Sequence, residues 1–366
     1  MSAPFSRQHL SAAGLLREAR RVFAAIPDAP AQDIALVDHL MSGLALFGLK
    51  YPSLLQFEHD RREETTRANL KALYGVERAP SDTRFRERLD AVDPRHLRPV
   101  YQRLFGQLQR GKGLEGFDYL DGHYLLSLDG TGYFSSQKVH CAQCAEKHHR
   151  NGTTTYYHQM LGAVLVHPDR QEVFPLAPEP ILKPDGAKKN DCERNAAKRL
   201  LTDLRREHPQ LKLIVVEDAL ASNAPHIRHL QALDLRFILG AKPSDHTFWF
   251  DWVAATPQTA EATFTDTQGF RHRFRYLNGA PLNESNFELE VNFLEYWEQA
   301  PDGTLQHFSW VSDIPLNDSN LMILMRGARA RWKIENETFN TLKNQGYHFE
   351  HNFGHGHQHL STVLMH

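Results

Sequence analysis

Cysteine is scarce in this chain: Cys141, Cys144 and Cys192 are the only three in 366 residues. An odd, low count cannot build a disulfide framework and argues for a reducing compartment. Long apolar runs are also missing. The longest near the start, residues 44–49, is far too short to cross a bilayer, and no apolar signal region stands at the N-terminus. Nor does one sign of charge dominate. With 42 basic and 44 acidic residues the net charge is −2, so no global field advertises a polyanionic partner. No repeat or low-complexity linker occurs. These absences exclude a disulfide-stapled secreted scaffold and a membrane-spanning chain, and the expectation is a cytoplasmic soluble protein.

The charged content of 23% and hydrophobic content of 41% suit a globular chain, and its length suits roughly two domains. Charge is unevenly placed. Residues 78–112 carry nine Arg or Lys against four Asp or Glu. That stretch reads as helical, either as a phosphate-facing surface or as an ordinary solvated helix face.

Residues 1–117 read as a helical N-terminal region, a candidate for DNA binding. Leu10, Leu15, Leu16, Ala19, Val22, Phe23 and Ile26 recur at helical spacing up to Pro27, and a second apolar segment covers 34–49. Pro80-Ser81-Asp82 offers a cap for a basic helix from Thr83. From His123 the pattern changes to strands at 124–129, 154–166 and 172–176. A helix follows from Asp191 to about His208, with Cys192, Ala196, Leu200 and Leu204 on one face. A strand at 211–216, a helix at 224–235 and a strand at 237–239 complete the series. Three antiparallel strands, a helix, then parallel strands alternating with helices is the order of an α/β, ribonuclease-H-like mixed sheet with flanking helices. Its first part spans 118–244. Residues 245–316 read as a β-rich insertion with hairpin signals at 266–269 and 301–303. Residues 317–366 complete the core with a helix from about Asn317 to Gln345, ended by Gly346.

Three carboxylates stand out against this frame. Asp129 closes the apolar strand 124–129, and Asp218 follows the strand 211–216. Carboxylates at strand ends are held rigidly at the rim of a sheet, where hard cations can be shared. On the last helix Leu321, Leu324, Met325, Ala328, Trp332, Phe339 and Leu342 form an apolar stripe, and Glu335 falls within it. A charge on a buried face is costly unless paired or bound to a cation. Glu337, about 200° round the helix from Glu335, reads as solvent-facing. Taken singly, Asp129 and Asp218 also read as ordinary turn-forming aspartates.

The motifs Asp129-Gly130-Thr131, Asp218-Ala219-Leu220 and Arg331-Trp332-Lys333-Ile334-Glu335 together resemble the DDE transposases of bacterial insertion sequences. The resemblance covers roughly 120–345. It implies that Asp129, Asp218 and Glu335 bind Mg2+, with Mn2+ able to substitute, for cleavage and strand transfer at the ends of an insertion sequence. It also implies double-stranded DNA (terminal inverted repeats and target) as partner, and a homodimer on DNA. Arg331, Lys333 and Lys343 become candidate DNA contacts. Two positions depart from the family signature. Its tyrosine is Ala328 here, and its lysine position is Leu342, with Lys343 one residue late, about 100° round a helix. Related transposases carry a further helical tail, whereas residues 358–366 read as the opening turns of an amphipathic helix, so a truncated chain is expected. Two alternatives follow: an inactive relative that holds DNA ends without chemistry, and a ribonuclease-H-like nuclease.

Residues 140–149 supply Cys141, Cys144, His148 and His149, ligand types suited to structural zinc, with His158 and Cys192 further on. The best set is the two cysteines with His148 or His149, the fourth ligand open. Plain loop cysteines and a redox thiol pair are the other readings. The histidines at 348, 351, 355, 357 and 359 read as a loop packing beside the active site, with metal binding as the second reading.

Overall fold

The computed structural model describes residues 10–29, 32–183 and 189–366. Helices α1 (Ala12–Phe23), α2 (Leu36–Gly48), α3 (Leu54–Asp60), α4 (Glu64–Tyr74), α5 (Asp82–Asp90) and α6 (Arg98–Arg110) come first. They bury Phe23, Leu40, Met41, Leu46, Leu70, Phe85 and Leu89 in a core separate from those of the sheet. Ser11 caps α1 by accepting a bond from the Gly14 amide. Ser81 stands at the start of α5 but makes no such bond. Much of the basic surplus of this region is consumed by ion pairs. Arg86 meets Asp82, Arg88 meets Asp28, Arg95 meets Asp93, Arg98 meets Glu207 and Arg103 meets Glu18.

Next come β1 (Tyr124–Ser136), β2 (Ala145–His148), β3 (Thr154–Val166), β4 (Phe174–Pro175), β5 (Glu179–Ile181), α7 (Glu193–Glu207), β6 (Leu213–Glu217), α8 (Ala224–Ala232), β7 (Arg236–Gly240) and α9 (Thr247–Ala255). The β-rich stretch supplies β8 (Ala260–Thr265), β9 (Arg271–Asn283), β10 (Asn286–Gln299) and β11 (Leu305–Ser312). Among the described residues the eleven strands form one mixed sheet, in the order β2-β3-β1-β6-β7-β11-β10-β9-β8, with β4 and β5 also paired to β3. β1 runs antiparallel to β3 and parallel to β6, which is parallel to β7. β11 joins β7 antiparallel, so the strands of 245–316 extend the same sheet.

Two expectations are corrected here. β1 does not stop at Asp129: β3 continues to pair with it, Asp129 opposite Gly162, out to Ser136. Asp-Gly reads locally as a turn, but thirteen residues of β3 hold the strand extended. The expected strand at 172–176 shrinks to Phe174–Pro175, with β5 as a second short segment beside β3.

Side chains alternate across a strand, and the two faces of the sheet have separate cores. Leu126, Leu128, Leu213 and Val215 point to one face, covered by α7, α8 and α9 through Ala196, Leu200, Ile227 and Trp249. Leu125, Ile214, Val216 and Ile238 point to the other. That face is covered by α10 (Leu321–Arg329), a 3-10 turn (Ala330–Trp332), a π-helical turn (Ile334–Phe339) and α11 (Asn340–Asn344). Gly346 follows with φ of 86°.

The chain then crosses to the helical region. In α12 (Leu360–Met365), Leu360, Val363 and Leu364 are buried among the first helices, so the apolar face of this segment is covered. Asp90 anchors its start: the carboxylate accepts bonds of 2.9 Å from the amides of His357, Gln358, His359 and Leu360. Among the described residues, no helix is long and apolar enough to cross a membrane.

Candidate active site

The strand alternation places Asp129 on the face that carries Leu125 and Ser127, and Asp218 follows directly after the end of β6. β1 pairs with β6 over Tyr124–Ser127 and then outruns it. Asp129 therefore lies at the carboxyl edge of the parallel pair, one strand away from Asp218. Their backbones are fixed locally. Asp129 Oδ1 accepts from its neighbour Gly130 N at 2.9 Å, and Asp218 Oδ1 accepts from Leu220 N at 2.9 Å.

The helical segment carrying Glu335 lies against this edge. Arg331 donates from Nη1 to Asp129 Oδ2 at 3.1 Å, and its carbonyl accepts from Ser127 Oγ at 3.0 Å. Ile334 and Phe339 pack over Gly162, the residue opposite Asp129. A Cβ on Gly162 would lie 2.9 Å from Phe339 Cζ and 3.4 Å from Ile334 Cδ1. Only glycine lets the helix sit this close.

Glu335 itself is exposed, not buried on an apolar stripe as the helical periodicity suggests. The reason is the change of helix type. The 3-10 turn tightens the helix before Glu335 and the π turn widens it after, which shifts the buried face. Ile334 becomes fully buried, while Trp332 is 51% exposed. Arg331 stacks 4.7 Å from the centre of the Trp332 ring.

Burial pushes the Asp129 carboxyl up. Arg331 and the Gly130 amide oppose this, and the charges of Asp218 and Glu335 add to it. All three expected acids are thus felt at one carboxylate. They do not form a closed set with oxygens within 4.8 Å of one another, unlike a Cys/His group elsewhere in the chain.

A fourth acid, Glu193, escaped the reading of the sequence. It opens α7, and a Cβ on Gly130 would strike its Oε1. Burial, then Asp129, Asp218 and Glu217, raise its pKa. Glu217, just before Asp218, bonds His226 Nε2 at 2.6 Å in a buried pair. Burial disfavours charge on His226, but Glu217 outweighs it and its pKa is raised. Leu128, Asp129, Glu193, Glu217, Asp218 and His226 line one small cleft.

The candidate DNA contacts have intramolecular partners. Lys333 Nζ donates to the Arg170 carbonyl at 2.6 Å, and Lys343 pairs with Glu350 at 2.9 Å. Lys343 also borders an open groove with Lys147 and His149, alongside β1 and β3.

The cysteines meet other histidines than those expected. His148 Nδ1 lies 3.0 Å from Thr154 Oγ1, and His149 Nε2 lies 2.8 Å from Thr155 Oγ1. The groups gathered with Cys141 and Cys144 are His158 and His355. Cys192 is exposed at the N-cap of α7, outside the helix's buried face and apart from this group.

Comparison with profiles of known protein families and with curated proteins finds no match.

Proposed function

We propose that this protein is a metal-dependent polynucleotidyl transferase of the DDE transposase type, cutting and joining DNA strands at the ends of an insertion sequence. The observation that carries the reading is the convergence at Asp129. Adjacent parallel strands bring Asp129 and Asp218 to one edge, where each lines the same cleft, and the helix bearing Glu335 is tied to that edge through Arg331. The strand order β3-β1-β6-β7, antiparallel then parallel, with helices on both faces, supports a ribonuclease-H-like core.

The residues fit a hard divalent cation. Asp129 and Glu193 are carboxyls whose burial and mutual repulsion oppose ionisation, and a bound cation removes that opposition. Asp129, Asp218 and Glu335 would hold Mg2+, which supplies activation of a water or 3′-hydroxyl and stabilisation of the departing oxygen. Arg331 donates to Asp129 at 3.1 Å. A bound cation would compete with Arg331 for this carboxylate, and the planar fork of the guanidinium is suited to a DNA phosphate. Glu217 and His226 brace the strand end that presents Asp218. Lys147, His149 and Lys343 border the groove along which a DNA backbone would run. No residue is needed as a covalent nucleophile, since phosphoryl transfer between hydroxyls rests on positioning and charge.

The test is incubation of the purified protein with Mg2+ or Mn2+ and oligonucleotides carrying the terminal repeats that flank its reading frame. The reading expects nicking at the repeat end and joined products, both lost in Asp218→Ala. A gel shift without nicking would point to a DNA-end binder without chemistry. Nicking of any DNA without joining would point to a nuclease.

A further inference from the structure

We infer that Cys141, Cys144, His158 and His355 form a tetrahedral structural zinc site that fastens the C-terminal segment to the sheet bearing Asp129. The site is independent of the reading of the chain as a transposase.

The geometry is that of a ligand cage. The two Sγ atoms lie 3.9 Å apart. His158 Nε2 lies 3.5 Å from Cys141 Sγ and 3.4 Å from Cys144 Sγ, and His355 Nε2 lies 3.2 Å from Cys144 Sγ. All four donor atoms are within 4.8 Å of one another. Zinc with bonds of about 2.3 Å to sulfur and about 2.05 Å to nitrogen would set tetrahedral edges of about 3.8 Å (S–S) and about 3.6 Å (S–N). These four separations match those edges to a few tenths of an ångström, and the other two are within 4.8 Å. They do not match a disulfide, whose sulfurs lie about 2.05 Å apart. Two thiolates and two neutral imidazoles balance the charge of Zn2+, which suits a site this buried: Cys144 and His158 are each 1% exposed. Soft sulfur with imidazole in a four-point cage selects zinc over magnesium or calcium.

Aromatic rings flank the two histidines. The His158 ring stacks 5.7 Å from Tyr133, and Phe134 lies 4.4 Å from the His355 ring. Cys144 and His158 are buried and Cys141 and His355 half-buried, and four protein ligands leave no coordination position for a substrate, as expected of a structural site rather than a catalytic one.

The ligands come from three parts of the chain. Cys141 and Cys144 lie in the loop after β1, His158 lies within β3 opposite Phe134, and His355 lies 211 residues beyond Cys144. His355 also follows the helix that carries Glu335 and precedes the start of α12 anchored by Asp90. A metal there locks the polypeptide downstream of Glu335 onto β3, which presents Gly162, and onto the loop that follows β1.

The experiment measures metal content of the full chain purified without chelator, thiol reactivity, and the visible spectrum after exchange to Co2+. Expected are one zinc per chain, a single reactive thiol (Cys192) rising to three after chelation, and the intense absorption of tetrahedral, thiolate-ligated cobalt. His355→Ala and Cys141→Ser lose the metal, whereas His148→Ala and His149→Ala keep it. Chelation speeds hydrogen exchange in residues 349–363 by at least about tenfold as the segment opens locally. A native protein that retains neither zinc nor cobalt and shows three reactive thiols overturns the inference. So does a metal lost from His148→Ala but kept by His355→Ala. DNA cleavage plays no part in these readouts, so a negative result here leaves the transposase reading standing, and the reverse.

Discussion

Gly162→Ala is a small change with a calculable consequence. The new Cβ would stand 2.9 Å from Phe339 Cζ, 3.0 Å from Phe339 Cε1 and 3.4 Å from Ile334 Cδ1. Carbon atoms rest at about 3.5–4.0 Å, so the Phe339 ring must retreat by roughly 0.6–1 Å. Both neighbours are buried, and overpacking of this kind costs about 1–3 kcal/mol. Phe339 lies four residues after Glu335, so the helix moves with its ring. A displacement near 1 Å in a reacting geometry can lower the rate on the order of 100-fold. Gly132→Ala is the matched control: on the same sheet, its Cβ would meet only the His158 carbonyl at 3.9 Å. The assay is thermal unfolding together with Mg2+-dependent cleavage of repeat-end oligonucleotides. Gly162→Ala should stay folded, melt a few degrees lower and cut about 10- to 100-fold more slowly, with Gly132→Ala near wild type in both. Wild-type cleavage by Gly162→Ala, with its melting point lowered, would refute the idea that this packing positions Glu335.

Asp129→Asn should abolish the loss of stability that the metal-free protein shows as pH rises through the native pKa of Asp129. The native pKa of Asp129 lies above its unfolded value, so it favours the fold only while protonated, and that contribution vanishes as pH rises through the native pKa. Wild type should gain stability on adding Mg2+ and the variant should not; equal gains would contradict the assignment. His226→Ala leaves Glu217 buried and unpaired, at a cost of about 3 kcal/mol by urea unfolding. The raised pKa of His226 means that its contribution is complete below about 6.5 and is lost as pH rises through the native value. The gap between wild type and variant should therefore narrow in alkaline buffer. Asp90→Ala removes a charged acceptor from four amides and should cost about 2 kcal/mol. Hydrogen exchange should quicken first in residues 357–365. Hydrogen bonds from those amides outweigh burial and depress the Asp90 pKa, so wild type should lose this support as pH falls below 3.8 through the native value.

What the sequence disclosed follows from how local each signal is. The strand at 154–166 is read with the bounds it has in the structure, because a long β-branched and aromatic run needs no distant partner to be recognised. Asp218 after β6 is equally plain, since Leu213–Glu217 is a short, wholly buried strand with a loop to follow. The end of β1 is hidden by the neighbour of Asp129: Asp-Gly favours a turn, and only pairing with β3 keeps the chain straight. Glu335 was assigned to a buried stripe on a constant 3.6-residue period, and the π turn that breaks the period leaves no mark in residue types. His355 could not be matched to the cysteines because 211 residues separate it from Cys144, while His148 and His149 lay temptingly near. Glu193 carries no motif. Its place beside Gly130 is a product of how α7 crosses the sheet.

The central claim is that Asp129, Asp218 and Glu335 address one cation site from three distant segments, and iron-directed backbone cleavage tests it most directly. Fe2+ replaces Mg2+ in such sites, and ascorbate with peroxide then cuts the chain close to the bound ion, the cuts being read by mass spectrometry. The account predicts scission at all three segments, suppressed by excess Mg2+ and lost at all three together in Asp218→Ala. Scission at one segment alone, or cuts near Asp129 and Glu335 that persist in Asp218→Ala, would contradict it.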